Sequence, residues 1–158
     1  MKPNTVRELV QLNHQFYQTF ALQFSTSRQR LQPGVRRILE HGFPENPAAI
    51  SQDANILELG CGNGELAREL ARRGHSGNYF GLDFNAELLE EARRNLPATF
   101  RGSFLQVNLA SADWEQSIPN APFDVILAFA VLHHLPGEDL RSQVLHKARR
   151  LLKPEGCF

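Results

Sequence analysis

Glu58, Gly60, Gly62 and Gly64 alternate in the run Ile56-Leu57-Glu58-Leu59-Gly60-Cys61-Gly62-Asn63-Gly64. A carboxylate followed by a glycine at every second position suits a backbone that turns tightly and approaches a ligand closely. The N–H groups and positive dipole end of the following helix then face the same place. In an open parallel sheet, ligands bind just beyond the strand ends, where such a loop lies. A dinucleotide fingerprint would need its third glycine one position later, but Glu65 stands there and its carboxylate would meet a pyrophosphate poorly. Three more sites with chemistry follow apolar runs: Asp83-Phe84, Asn108-Leu109 and His133-His134. Cys61 reads as packing within the loop, and its spacing from Cys157 is not that of a zinc site.

Strands and helices must place these groups. Short apolar runs at 55–59, 78–83, 103–108 and 123–131 alternate with segments of helical spacing, and this alternation predicts a parallel sheet. One predicted helix buries Leu66, Ala67, Leu70 and Ala71 and closes at Gly74. Another is capped by Asn85, carries Leu88, Leu89, Ala92 and Leu96, and stops at Pro97. A last one spans 138–152, with Leu140, Val144, Ala148, Leu151 and Leu152 inward. Ahead of the first strand, Val6, Leu9, Val10, Phe16, Tyr17, Phe20 and Phe24 mark one stripe of an amphipathic helix over 6–24. A second short helix follows Pro33-Gly34 with Val35, Ile38 and Leu39. The expected fold is α/β: a Rossmann-like doubly wound sheet of mainly parallel strands with an N-terminal helical annex. It forms a single domain over 1–158, with a helical lid at 1–45 and a ligand-binding core at 53–158.

Seventeen basic residues balance seventeen acidic ones, so net charge does not mark the whole surface for a polyanion. The Arg72-Arg73 and Arg149-Arg150 pairs suit helix ends. No apolar run approaches the roughly 18 residues of a membrane span. Together with the cysteine usage, this leads to the expectation of a cytoplasmic protein without a membrane partner.

The pattern Glu58-x-Gly60-x-Gly62-x-Gly64 resembles the first motif of class I S-adenosylmethionine-dependent methyltransferases. Gly81-Leu82-Asp83-Phe84 is similar to the end of that family's second strand. The resemblance implies that Asp83 accepts hydrogen bonds from both ribose hydroxyls, and Phe84 next to it suits the adenine face. Where the family has an aspartate for the adenine amino group, this chain has Asn108, whose carbonyl accepts the same N–H. The run from Phe123 to Leu135 looks like the fourth motif, and 151–156 looks like the turn before the fifth strand. The resemblance covers about 55–158. It implies S-adenosyl-L-methionine as cofactor, with S-adenosyl-L-homocysteine as product, held by Glu58, Gly60, Cys61, Gly62, Gly64, Asp83, Phe84, Asn108, Leu109 and Ala128.

Tyr17 to Arg28, followed by Pro33 and Val35, is similar to the leading segment of wobble-uridine tRNA methyltransferases. In such enzymes this helix covers the cofactor. The resemblance implies that Tyr17 and Arg28 reach the methionine end, Arg28 pairing with its carboxylate. For Tyr17, a place in an ordinary helix core is an equal reading.

The activity so implied is direct in-line transfer of a methyl group to a small-molecule acceptor or a modified tRNA base. Methyl transfer from a sulfonium needs alignment and exclusion of water more than acid–base machinery. The one base nominated is His133, just past the fourth strand, against the plainer reading that the His pair orients its loop. On an extended segment adjacent histidines face opposite ways, so a metal site is not expected. His14, His41, His75 and His146 read as surface residues, Trp114 as a cover for adenine or part of the core, and Asp124 as structural. Two alternatives stay open: a non-catalytic cofactor-binding subunit needing a partner subunit, and a nicotinamide oxidoreductase, which Glu65 disfavours. The family's sheet continues into a sixth and a seventh strand, whereas this chain stops at Phe158, so a fragment lacking the C-terminal strands is expected.

Overall fold

The computed structural model describes residues 3–27, 31–42, 50–118 and 122–158, with side chains for all of these except Pro3 and 21–27. Five strands form one sheet: β1 (Ile56–Leu59), β2 (Tyr79–Asp83), β3 (Gly102–Gln106), β4 (Phe123–Leu127) and β5 (Leu152–Cys157). Their order is β3-β2-β1-β4-β5 and every neighbouring pair is parallel. Parallel neighbours require crossovers, and α3 (Glu65–Arg72), α4 (Ala86–Arg94) and α5 (Glu138–Arg150) lie in them. The chain steps outward from β1 to β3 and then returns to β4 on the other side of β1. That reversal opens a crevice at the C-terminal ends of β1 and β4.

Side chains alternate along β1, and all four are buried. Ile56 packs with Leu66, Ala67 and Leu70 of α3 and Leu89 and Ala92 of α4. Leu57 and Leu59 pack with Val144 and Ala148 of α5 in a second core. Covering both faces is what makes these strands read as continuous apolar runs. Glu58 breaks the run with a carboxyl that is only 5% exposed. Trp114 closes the second core at 2% exposed, so of its two expected roles it takes the structural one.

Several boundaries differ from the sequence expectation. The fourth strand stops at Leu127 rather than 131, because the backbone leaves the sheet and Ala130 takes φ +52°, which no strand residue adopts. The last helix ends at Arg150, and β5 starts two residues on. Of residues 151–156, expected as a turn before the strand, 152–156 therefore lie within it, with a bulge: Phe123 pairs with Leu152 but Val125 pairs with Cys157. Pro154 cannot donate to the ladder, which favours this irregularity. Lys153 reaches back to Asp124 at 2.6 Å, and Asp124 also accepts the Asn55 N–H, a structural role.

The N-terminal helix α1 (Pro3–Ser27) is longer than expected, with a kink at Phe20 (φ −113°, ψ 15°). It is also rolled relative to its predicted stripe. Val6, Val10, Asn13, His14 and Tyr17 turn inward, while Leu9, Leu12, Phe16 and Phe20 are exposed. The inward face is partly polar because it covers a cavity. The second helix, α2 (Pro33–His41), has Pro33 in its first turn and buries Val35. His75 is not a surface residue as expected: it is 9% exposed and close to Phe100, and burial holds its imidazole below the ordinary range.

Candidate functional site

A cavity of about 450 Å³ opens at the sheet's switch point. Its floor is the β1–α3 loop, its sides are the chain segments after β2, β3 and β4, and α1 covers it.

The loop is shaped by backbone bonds to β2. The Gly60 and Cys61 N–H groups both donate to the Leu82 carbonyl, at 2.7 and 2.9 Å. Gly60 has φ +72°, and a Cβ there would lie 2.6 Å from Val131 Cγ2, so the loop can pass the β4 exit only without a side chain. Gly62, at φ +53°, differs: a Cβ would meet nothing within 4 Å, so its backbone faces open space. Gly64 opens α3 and packs on Ala92 instead of lining the cavity. Arg68 of α3 holds the loop from behind, donating to the Asn63 carbonyl at 2.8 Å. Cys61 is buried in this packing, its Sγ filling the space that Gly81 leaves, and burial pushes its thiol up.

Asp83 stitches the parts together. Its Oδ2 accepts the Gly62 N–H and its Oδ1 the Asn85 N–H, both at 2.9 Å. Burial raises this carboxyl above the usual range, against three backbone N–H bonds that favour its charged form. Each oxygen keeps lone-pair capacity toward the cavity. Asn85 then caps α4 by accepting the Glu87 and Leu88 N–H groups. Glu58 lies beneath the loop with its Oε2 accepting the Tyr79 hydroxyl.

On the β3 side, Asn108 and Leu109 line the cavity, and the Asn108 side-chain oxygen accepts the Ala110 N–H at 2.9 Å. On the β4 side the lining residues are Phe129, Ala130 and Val131; Ala128, nominated from the sequence, packs against the second core instead. The His pair sits on a 3-10 turn, not an extended segment, and its rings are 3.8 Å apart on one side. His133 turns to solvent, while His134 lines the cavity. The base nominated from the sequence thus lies outside the cavity wall and its neighbour lies on it.

Tyr17 joins the lid to this wall. Its hydroxyl and His134 Nε2 are 2.6 Å apart, and the rings meet edge to face at 4.9 Å. Asn13 donates to the His134 carbonyl at 2.8 Å, and Asn85 donates to the Tyr17 carbonyl at 3.1 Å. Phe84 carries the His14 ring stacked at 4.4 Å and 14°. Asn13 and His14 were missed by sequence reasoning, which read His14 as a surface residue. Their signal was the spacing 10, 13, 14, 17, a helical face running through polar residues. Arg28 lies outside the described residues.

Among the described residues no three His, Cys, Asp or Glu side chains gather as a metal site, and no helix is long and apolar enough to cross a membrane. The arrangement suits a small ligand with hydroxyl groups near Asp83, an aromatic face near Phe84 and positive charge near the carboxyls. The fit to a sulfonium nucleoside is helped by Gly62, whose missing side chain leaves an open cradle beside the Glu58 and Asp83 carboxyls.

A family model described as "Methyltransferase domain" matches residues 57–158. The chain is 32% identical over 158 residues to a trans-aconitate 2-methyltransferase of Pseudomonas aeruginosa, covering 100% of this chain and 50% of that protein. It is 36% identical over 103 residues to a ubiquinone biosynthesis O-methyltransferase of Klebsiella pneumoniae, covering 64% of this chain and 39% of that one. A crystal structure of a SAM-dependent methyltransferase from Methanosarcina mazei superposes with a TM-score of 0.57 at 27% identity, over 71% of this chain and 53% of the other. The chain spans between 38% and 58% of the length of such curated relatives.

Proposed function

Because the chain belongs to the methyltransferase-domain family, of the class I S-adenosylmethionine-dependent type, we propose that this cavity holds S-adenosylmethionine and that the protein passes its methyl group to a small-molecule acceptor. The observation that carries this reading is the Asp83 carboxylate. It is tied by backbone N–H groups to the glycine loop on one side and to the α4 cap on the other, with spare acceptor capacity turned to the cavity.

In this reading the Gly60–Gly62 backbone admits the methionine portion and Asp83 accepts from the ribose hydroxyls. Asn108, Leu109 and Phe84 bound the adenine, while Tyr17 closes the methionine end, with Arg28 as the partner of its carboxylate. The cofactor supplies an already activated methyl, so the protein's own work is to align donor and acceptor and to exclude water under α1. Where the acceptor has a proton to lose, the imidazole on the cavity wall is that of His134, held in place by Tyr17 and Asn13. The names of the relatives, which act on trans-aconitate and in ubiquinone biosynthesis, favour a small acceptor over a modified tRNA base.

Calorimetric titration with S-adenosylhomocysteine and with NADH tests the cofactor, and the former alone is expected to bind. Binding of NADH alone would replace the reading with the oxidoreductase one. Labelled methyl transfer to a metabolite extract, and not to bulk tRNA, is the expected acceptor result. Transfer to tRNA would redirect the acceptor, and transfer to neither would point to a non-catalytic subunit needing a partner.

A further inference from the structure

Two carboxyl groups, Glu58 and Asp83, lie under the glycine loop, and no cation among the described residues pairs with them. Glu58 is 5% exposed and receives one hydrogen bond, from the Tyr79 hydroxyl. The ion pairs among the described residues use other carboxylates, and neither Glu58 nor Asp83 takes part in any of them. Among the described residues, the groups whose hydrogen bonds and charges act on Glu58 bring no fixed cation. From β2 it meets Tyr79 and Asp83, and from the loop Cys61. His14, Tyr17, Glu65 and His134 line the same cavity. Burial holds His14 below the ordinary imidazole range. The field of Arg93 reaches Cys61, but its guanidinium is spent on Glu90 and on the Phe104 carbonyl.

A carboxyl enclosed by packing, without a fixed cation beside it, favours its neutral form. Gly81 stands opposite Glu58 across the β1–β2 ladder and brings no side chain to the space above the carboxyl. The Cys61 thiol fills it, adding further desolvation. The Glu58 carboxyl is accordingly pushed up to about 8, chiefly by burial and further by the Asp83 charge, with the Tyr79 bond opposing.

We propose that Glu58 keeps its proton while the cavity holds no cation and releases it to solvent when a cationic ligand arrives, so that cofactor binding is coupled to proton release. This rests on the reading of the cavity as the S-adenosylmethionine site. The ligand's ammonium, and in the methyl donor also its sulfonium, provides a positive charge that the described residues around Glu58 do not. No covalent bond changes: one proton moves from the Glu58 carboxyl to the buffer as the ligand enters.

The sign follows by linkage. Below about pH 8 the empty site holds the proton and binding must expel it, so affinity climbs with pH. It approaches about tenfold per unit and flattens once the empty site is already ionised. Titrating S-adenosylhomocysteine into the full chain near neutral pH, in buffers of low and of high ionisation enthalpy, counts the protons. Close to one is expected for the wild type and none for Glu58→Gln. Tyr79→Phe keeps the carboxyl but removes the donor that favours its charged form, so its affinity climb is expected to move to higher pH. If the homocysteine product binds with no proton released, or Glu58→Gln releases as many as the wild type, the inference falls and the site reading stands. Should Glu58→Gln fail to fold or bind, an unmoved pH profile in Tyr79→Phe overturns the inference. Absence of binding in every buffer overturns the site reading itself.

Discussion

The floor of the cavity and its lid are held by different forces. The floor is backbone: Gly60 and Cys61 hang from the Leu82 carbonyl, and Gly62 hangs from Asp83, at the ends of strands buried on both faces. The lid is side chain: α1 meets the rest of the site through Asn13, His14 and Tyr17, and its outer apolar ridge of Leu9, Leu12, Phe16 and Phe20 is exposed. Moving the floor would break the sheet's own ladder, whereas lifting the lid costs a few part-exposed contacts. A ligand enclosed between them has a fixed half that positions it and a separable half that admits it.

That contrast can be broken most severely from the floor. Gly60→Ala places a Cβ at φ +72° and within 2.6 Å of Val131. We expect a loss of about 2–4 kcal/mol in stability and at least a hundredfold weaker binding of S-adenosylhomocysteine, from denaturant melts and calorimetry. Equal binding by this variant would show that the loop passes Val131 with room to spare. Tyr17→Phe removes one hydroxyl from the lid; about 1 kcal/mol or less of stability and a several-fold loss in binding are expected. Hydrogen exchange should quicken in α1 amides and stay unchanged in β1, and slowed exchange in α1 would mean that the lid is not held through His134. The smallest effect belongs to Phe16→Ser on the exposed ridge, within about 0.5 kcal/mol in stability and without change in cofactor affinity. A large change there would show that the outer face of α1 is covered in solution.

Much of the floor was legible as sequence. Alternating glycines after an apolar run, an aspartate ending the next one and Asn85 ahead of a helix are local patterns, and each reappears as a local structure. The lid was less legible because its face depends on what it covers. Hydropathy placed Leu9, Phe16 and Phe20 inward, but the residues facing the cavity include Asn13, His14 and Tyr17, whose polar atoms find partners only across the crevice. The same limit applied to His133 and His134. Their order along the chain said nothing about the 3-10 turn that presents the second and exposes the first.

The sequence by itself determined the strand–helix alternation, the place of the glycine loop and the family to which they belong, because these follow from short-range periodicity and from motifs read in order. Only the tertiary structure decided that Glu58 would be enclosed with Tyr79, that Ala128 would pack in the core, and which face of α1 would close the cavity. Those outcomes depend on side chains brought together from distant parts of the chain. Burial and hydrogen bonding there arise from the sheet's register and from the turn after β4, which no local pattern encodes.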